Sequence, residues 1–220
     1  MFGYDRNELL AFAKENIGCY TVEEIREQYT QHDIGQGISR TTFYFDEYPD
    51  IVFKIAIGSD DDCAEYTFEE EEAVYYEAME HGLEKYFAEL EYIGGIELSY
   101  EYEDWADEES DETVWKTGTR DYLIYIQPKA DFTVSHFFGS YCNEHSFKKE
   151  RRIAEHSGHG VALDTEASAL FIRRHGIEEF TRLSNFFENV RYLDDLHNSN
   201  WALLDGNMVI TDYAMWGGLW

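Results

Sequence analysis

Two spacings of apolar residues alternate along this chain, and each change of spacing marks an element. Residues 5–16 (DRNELLAFAKEN) place Leu9, Leu10 and Ala13 on one face of a helix, with Asp5 as N-cap and Gly18 as the stop. Thr21-x-x-Glu24 is a capping box ahead of a second short helix running to about Tyr29. A β-rich run, Thr41 to Phe45, is followed by a turn over 46–50 that contains Pro49. An apolar strand then covers Ile51 to Ile57. Residues 65–80 return to helical spacing, with Phe68, Val74, Tyr75, Ala78 and Met79 as the inner face. The segment IELSYEYEDW alternates like an antiparallel strand with one wet face. The ADEESDET that follows it reads as a solvated loop or the tip of an extended hairpin. Residues 121–131 form a buried strand ending at Pro128. Helices follow over 164–175, capped by Asp164 and ended by Gly176, and over 177–192. The second of these has Ile177, Phe180, Leu183, Phe187 and Val190 at helical spacing. Trp201 to Leu204, the turn Asp205-Gly206-Asn207, and Met208 to Ile210 make a short hairpin.

Composition narrows the class. At 220 residues, the expectation is one domain or two lobes. A content of 44% hydrophobic and 17% aromatic residues allows a sizeable core. No apolar run reaches membrane-spanning length, and MFGYDRNELL lacks the basic-then-apolar order of a secretory signal. Cys19, Cys63 and Cys142 are odd in number and scattered, which fits a reducing cytosol and not a disulfide scaffold. The expected location is therefore cytoplasmic.

Charge is the most unusual property. The formal net charge is −29. Between Asp60 and Glu112 there are 22 acids and one base, Lys85. Such a field repels nucleic acid and favours basic partners. Adaptation to high salt, a DNA-mimicking surface and recruitment of a basic protein substrate all fit it. Salt adaptation ranks lowest, given the abundance of Ile, Phe and Tyr.

Candidate chemistry collects in Leu193 to Asp212 (LDDLHNSNWALLDGNMVITD). The hairpin would carry Asn200 at its entrance and Asp212 at its exit, so two oxygen ligands return to one end. Oxygen donors of this kind, completed by phosphate, suit a hard cation such as Mg²⁺. Asp195, just upstream, can accept a proton from an attacking hydroxyl. Lys54 interrupts an apolar strand. It either has an anionic partner or snorkels from an edge strand. Cys142, His145, His156 and His159 have zinc-like spacings, but the gap between the pairs is short and holds Lys148, Lys149, Arg151 and Arg152. That basic run is better read as offsetting the acidic field or meeting a phosphate.

The order Asp195, Asn200, hairpin, Asp212-Tyr213-Ala214 resembles the catalytic loop and metal motif of the protein kinase-like superfamily. The D-L-H-x-x-N form, with His197 two residues after Asp195, is most similar to the aminoglycoside phosphotransferases and the small serine/threonine kinases of tailed phages. The resemblance implies an α+β fold, two-lobed and minimal: a small antiparallel-sheet lobe plus a truncated helical lobe. The implied division is 1–32 as a helical N-terminal extension, 33–128 as the small lobe with an acidic insertion, and 129–220 as the helical lobe with the catalytic loop. It further implies ATP and Mg²⁺ as cofactors. Gly35 and Gly37 would let backbone N–H groups approach phosphates, with Arg40 where a third glycine is usual. Lys54 would orient the α/β-phosphates and pair with Glu71 or Glu72 of the 65–80 helix. Backbone groups near Gln127 would meet adenine, with Ile124 or Ile126 on its face. Asp195 would position the hydroxyl, and Asn200 and Asp212 would hold metal. Only eight residues follow Asp212, so an activation segment and further helices are not expected. The implied function is a phage-type serine/threonine protein kinase acting on a basic host protein, such as one that binds nucleic acid. The chain itself would contact neither nucleic acid nor membrane. The alternatives are a non-enzymatic, DNA-mimic-like inhibitor on a kinase scaffold, and a small-molecule kinase.

Overall fold

The computed structural model describes residues 3–28, 41–57, 64–105, 113–131, 134, 147–156, 165–189, 196 and 198–213, with only the backbone at 64–67. Over these residues the protein is α+β, with six α-helices, a four-stranded antiparallel sheet and a two-stranded one. It divides into two compact units, Met1–Tyr66 with Glu91–Gln127, and Thr67–Leu90 with Pro128–Trp220. This grouping follows two separate hydrophobic cores and not the order of the chain. No helix among the described residues is long and apolar enough to cross a membrane.

In the first unit, helix α1 (Arg6–Asn16) is capped by the Asp5 carboxylate, which accepts from the Asn7 and Glu8 amides at 2.8 and 3.1 Å. Helix α2 (Val22–Gln28) begins in a reciprocal capping box. The Thr21 amide donates to Glu24 at 2.9 Å, and the Glu24 amide donates to Thr21 Oγ1 at 3.1 Å. Strands β1 (Thr41–Phe43), β2 (Ile51–Ile55), β3 (Glu91–Trp105) and β4 (Thr113–Pro128) form a sheet in the order β1-β2-β4-β3. Strand period decides what each face does. Phe43, Ile51, Phe53, Ile55, Tyr122 and Ile124 join one core with Leu9, Ala13, Ile17, Val22 and Ile25 of the helices. Gly94, at φ +151, marks a bulge in β3 beside Leu10; a Cβ there would stand 2.6 Å from a Leu10 methyl, so α1 seats only against glycine. Strand β4 begins well before the run 121–131 in which the sequence places it. Thr113–Arg120 mixes hydroxyls, cations and a glycine and lacks a clean alternation, yet it pairs residue by residue with β3.

The second unit holds α3 (Ala64–Glu80), a 3-10 turn at Glu84–Tyr86, α4 (Lys148–His156), α5 (Thr165–His175), α6 (Ile177–Asn189), and the hairpin β5 (Trp201–Leu204) and β6 (Asn207–Ile210). Its core joins Val74, Ala78 and Leu83 to Leu170, Phe171, Leu183, Phe187, Trp201 and Ile210. Two positions expected on inner faces point outward: Met79 is 49% exposed and Ile177 50%. Met79 is four residues from the half-buried Tyr75, on the flank of the stripe set by Val74 and Ala78. Ile177 is the first residue of α6, ahead of the turn that reaches the core. Phe186 and Phe187 are both buried. Lys85 and Arg182 pair with the Glu179 carboxylate at 3.2 and 2.6 Å, and the Tyr86 hydroxyl donates to it at 2.6 Å. Chiefly through the Tyr86 hydrogen bond, then Arg182 and Lys85, Glu179 is lowered to about 2. Helix α4 is held to α5 by Arg151–Glu166 at 2.6 Å and Arg173–Glu150 at 2.8 Å.

Candidate functional site

The best-defined part of the site is the end of the β5–β6 hairpin. Asp205 and Gly206 both adopt positive φ, 50° and 78°, as a two-residue primed turn requires. The register then runs from Leu204 opposite Asn207 to Trp201 opposite Ile210. Both edges of the hairpin are covered: Ala88 N–H donates to Ile210 O, and Asp131 N–H donates to Leu203 O, each at 2.8 Å. One residue past each strand end, the Asn200 carbonyl accepts from the Thr211 amide at 2.8 Å and from Thr211 Oγ1 at 3.3 Å. Asn200 and Asp212 are therefore carried at the same end of one rigid hairpin. Asn200 closes the 3-10 turn Asn198–Asn200 and is buried; Asp212 is half-buried.

The residue after Asp212 is fixed from three sides. The Tyr213 amide donates to Glu71 Oε1 at 2.9 Å, and its hydroxyl donates to the Ala88 carbonyl at 2.8 Å. Its ring meets Phe87 edge to face, with centroids 5.2 Å apart. Glu71 is fully buried, whereas Glu72 is half-buried. Glu71 lies on the α3 stripe with Phe68, Val74 and Ala78, the three- and four-residue steps that share a helix face. A buried carboxylate needs hydrogen-bond donors, and the backbone of Tyr213 supplies one. The sequence offered no signal for this anchoring role of Tyr213, because the bond runs between residues far apart in the chain.

In the first unit, Lys54 sits in β2, which lies between β1 and β4. It is therefore not on an edge strand, and at 7% exposure it does not snorkel. Strand alternation places it with Val52 and Ala56 on the face of the sheet opposite the α1/α2 core. Gln127, 2% exposed, shares that face through β4. Ile124 and Ile126 belong to the helix-covered core instead. Leu123 and Tyr125 alternate with them on the face that Lys54 and Gln127 share. Lys54 and Glu71 belong to different units.

Gly35, Gly37, Arg40, Asp195 and His197 lie outside the described residues, as do Cys142, His145 and His159. His156 is described, and its Nδ1 lies 2.7 Å from the Arg152 carbonyl. Among the described residues no group of three or more His, Cys, Asp or Glu is arranged to hold a metal. The donor set that is present, an amide oxygen from Asn200 and a carboxylate from Asp212, is all hard oxygen. It fits Mg²⁺ completed by water and phosphate better than it fits zinc. No protein-family model matches the chain, and no curated protein and no solved structure is significantly similar to it.

Proposed function

We propose that the protein is an ATP- and Mg²⁺-dependent phosphotransferase, a minimal member of the protein kinase-like group that acts on protein hydroxyls. One observation carries this reading. The hairpin returns Asn200 and Asp212 to one end, and the residue after Asp212 is locked by a buried acid, Glu71. An ordinary surface hairpin has no need of a buried carboxylate fixing the backbone beside its exit.

In this reading Asn200 and Asp212 hold the cation through oxygen. Its contribution when bound is neutralisation of charge on the phosphate oxygens. Glu71 and Tyr213 keep the Asp212 backbone from swinging, so its carboxylate needs little reordering when phosphate arrives. Lys54, a buried cation on a rigid strand, is matched to phosphate charge. Asp195 accepts the proton of the attacking hydroxyl.

A thermal melt with and without Mg·ATP tests the reading. A ligand that binds only the folded state raises the melting temperature, by about 2.7 kcal/mol of stability at a hundredfold excess over Kd. The rise should require the cation and should shrink in Lys54→Ala and Asp212→Asn. A folded sample whose melt does not respond to millimolar Mg·ATP contradicts it.

A further inference from the structure

The outer part of the β3–β4 ribbon sorts its side chains by charge. Register and alternation put Glu97, Glu101, Glu103 and Trp105 of β3 on one face. Cross-strand partners add Asp121 opposite Glu97 and Trp115 opposite Glu103. Ser99, Thr113, Thr117 and Thr119 fill the remaining positions, and this face of the ribbon carries no Lys or Arg between 97–105 and 113–121. The cations are on the other face. There Lys116 pairs with Asp104 at 2.9 Å, and Arg120 lies over the Tyr122 ring at 5.7 Å.

Two tryptophans stand in water on the acidic face, Trp105 at 57% exposure and Trp115 at 68%. They occupy diagonal cross-strand positions on that one face, which lie roughly 7–8 Å apart at the backbone. Exposed indoles do nothing for the core of this unit, and clustered exposed apolar surface marks a contact site. The chemistry around them selects the occupant. Indole faces attract cations, and Arg more often than Lys. Carboxylates pair with the planar guanidinium in a two-pronged way. A nucleic acid or a second copy of so acidic a chain meets repulsion instead. Strand addition along β3 is blocked at its midpoint, where the Glu101 amide already donates to the Glu23 carboxylate at 3.1 Å.

We propose that this face docks an extended, arginine-containing segment of a partner protein, with guanidinium groups lying on Trp105 and Trp115 and paired with Glu101 and Glu103. The surface stands independently of phosphate transfer, and its failure leaves the nucleotide reading untouched.

The test is fluorescence anisotropy of a labelled Arg-Ser repeat peptide titrated with the full chain at 0.1 M salt, beside a Lys-Ser peptide of equal length. The arginine peptide should bind about tenfold more tightly than the lysine one. Trp105→Ser with Trp115→Ser, and separately Glu101→Gln with Glu103→Gln, should each weaken it about tenfold. Tyr102→Ser, which removes a ring from the opposite face, should change it less than about twofold. All these side chains are exposed, so the melt and its response to Mg·ATP should hold in every variant. Equal binding of both peptides with no effect of the tryptophan changes overturns the proposal in favour of charge alone. So does equal damage from Tyr102→Ser, or no binding at millimolar peptide. Self-association abolished by the tryptophan changes would assign the face to a second copy and likewise overturn it.

Discussion

The β5–β6 hairpin buries nearly every strand residue it has, while the β3–β4 hairpin leaves its outer half in water. The first turns on Asp205-Gly206 and has both edges satisfied by neighbouring backbone. The second packs its inner half into the sheet core and then continues past it to Trp105 and Thr113. One fold element thus serves two ends. Where faces and edges are both covered, side chains at the hairpin's end are held within narrow limits, as the metal- and phosphate-positioning role proposed for them would require. Where one face is bare, its residues are not selected by packing, and their sorting by charge is the ground on which the docking proposal rests.

The sharpest way to break this comparison is to cut the same residue type from each hairpin. Trp201 is 1% exposed and Trp115 is 68% exposed. Trp201→Ala should cost about 3–5 kcal/mol in urea unfolding. Trp115→Ala should stay within about 0.5 kcal/mol. Equal losses would mean that the outer ribbon is packed in solution and that the contrast is false.

Next in size is the anchor beside Asp212. Glu71→Ala leaves the Tyr213 amide without its acceptor, and an unpaired buried donor costs about 1–3 kcal/mol. Glu71→Gln keeps an oxygen that can accept, so chemical denaturation should find it closer to wild type. If the two variants unfold alike, the bond to Tyr213 is not what holds the segment.

Much of this was legible in the sequence, and the reasons differ by element. The capping box Thr21/Glu24 and the Asp5 cap are local, so spacing alone found them. The Asp205-Gly206 turn fixed the hairpin register for the same reason. The burial of Glu71 was only half legible. It stands in a run of four acids, and burial of such a residue depends on what the helix packs against. The start of β4 was hidden because Thr113–Arg120 is exposed on both faces, and exposure on both faces erases the alternation that marks a strand. The segregation of acids from cations on the ribbon needs the cross-strand register, which composition does not contain.

Smaller effects sharpen the picture of the compact unit. Gly206, at φ 78°, should lose about 1 kcal/mol as alanine in thermal or urea unfolding, since an L side chain resists that conformation. Glu179 gives a pH signature. Its folded pKa, about 2, lies below the ordinary 4.5. Its contribution is therefore complete above about pH 4.5 and is lost as pH falls toward 2. Tyr86→Phe removes the largest cause of that shift. The variant should be less stable at neutral pH and should lose stability less steeply between pH 4.5 and 2. A carbon-detected titration that leaves Glu179 equally acidic in Tyr86→Phe would refute the assignment.

Phosphoryl transfer itself bears most directly on the central claim. Purified chain should be incubated with Mg²⁺, γ-labelled ATP and an arginine-rich protein bearing serine and threonine, beside Asp195→Asn and Asp212→Asn. The account predicts label in the protein acceptor for wild type and almost none for either variant, with Mg·ATP still bound by Asp195→Asn but weakened in Asp212→Asn. Transfer that survives both substitutions, or a wild type that neither binds nor uses Mg·ATP, would contradict it.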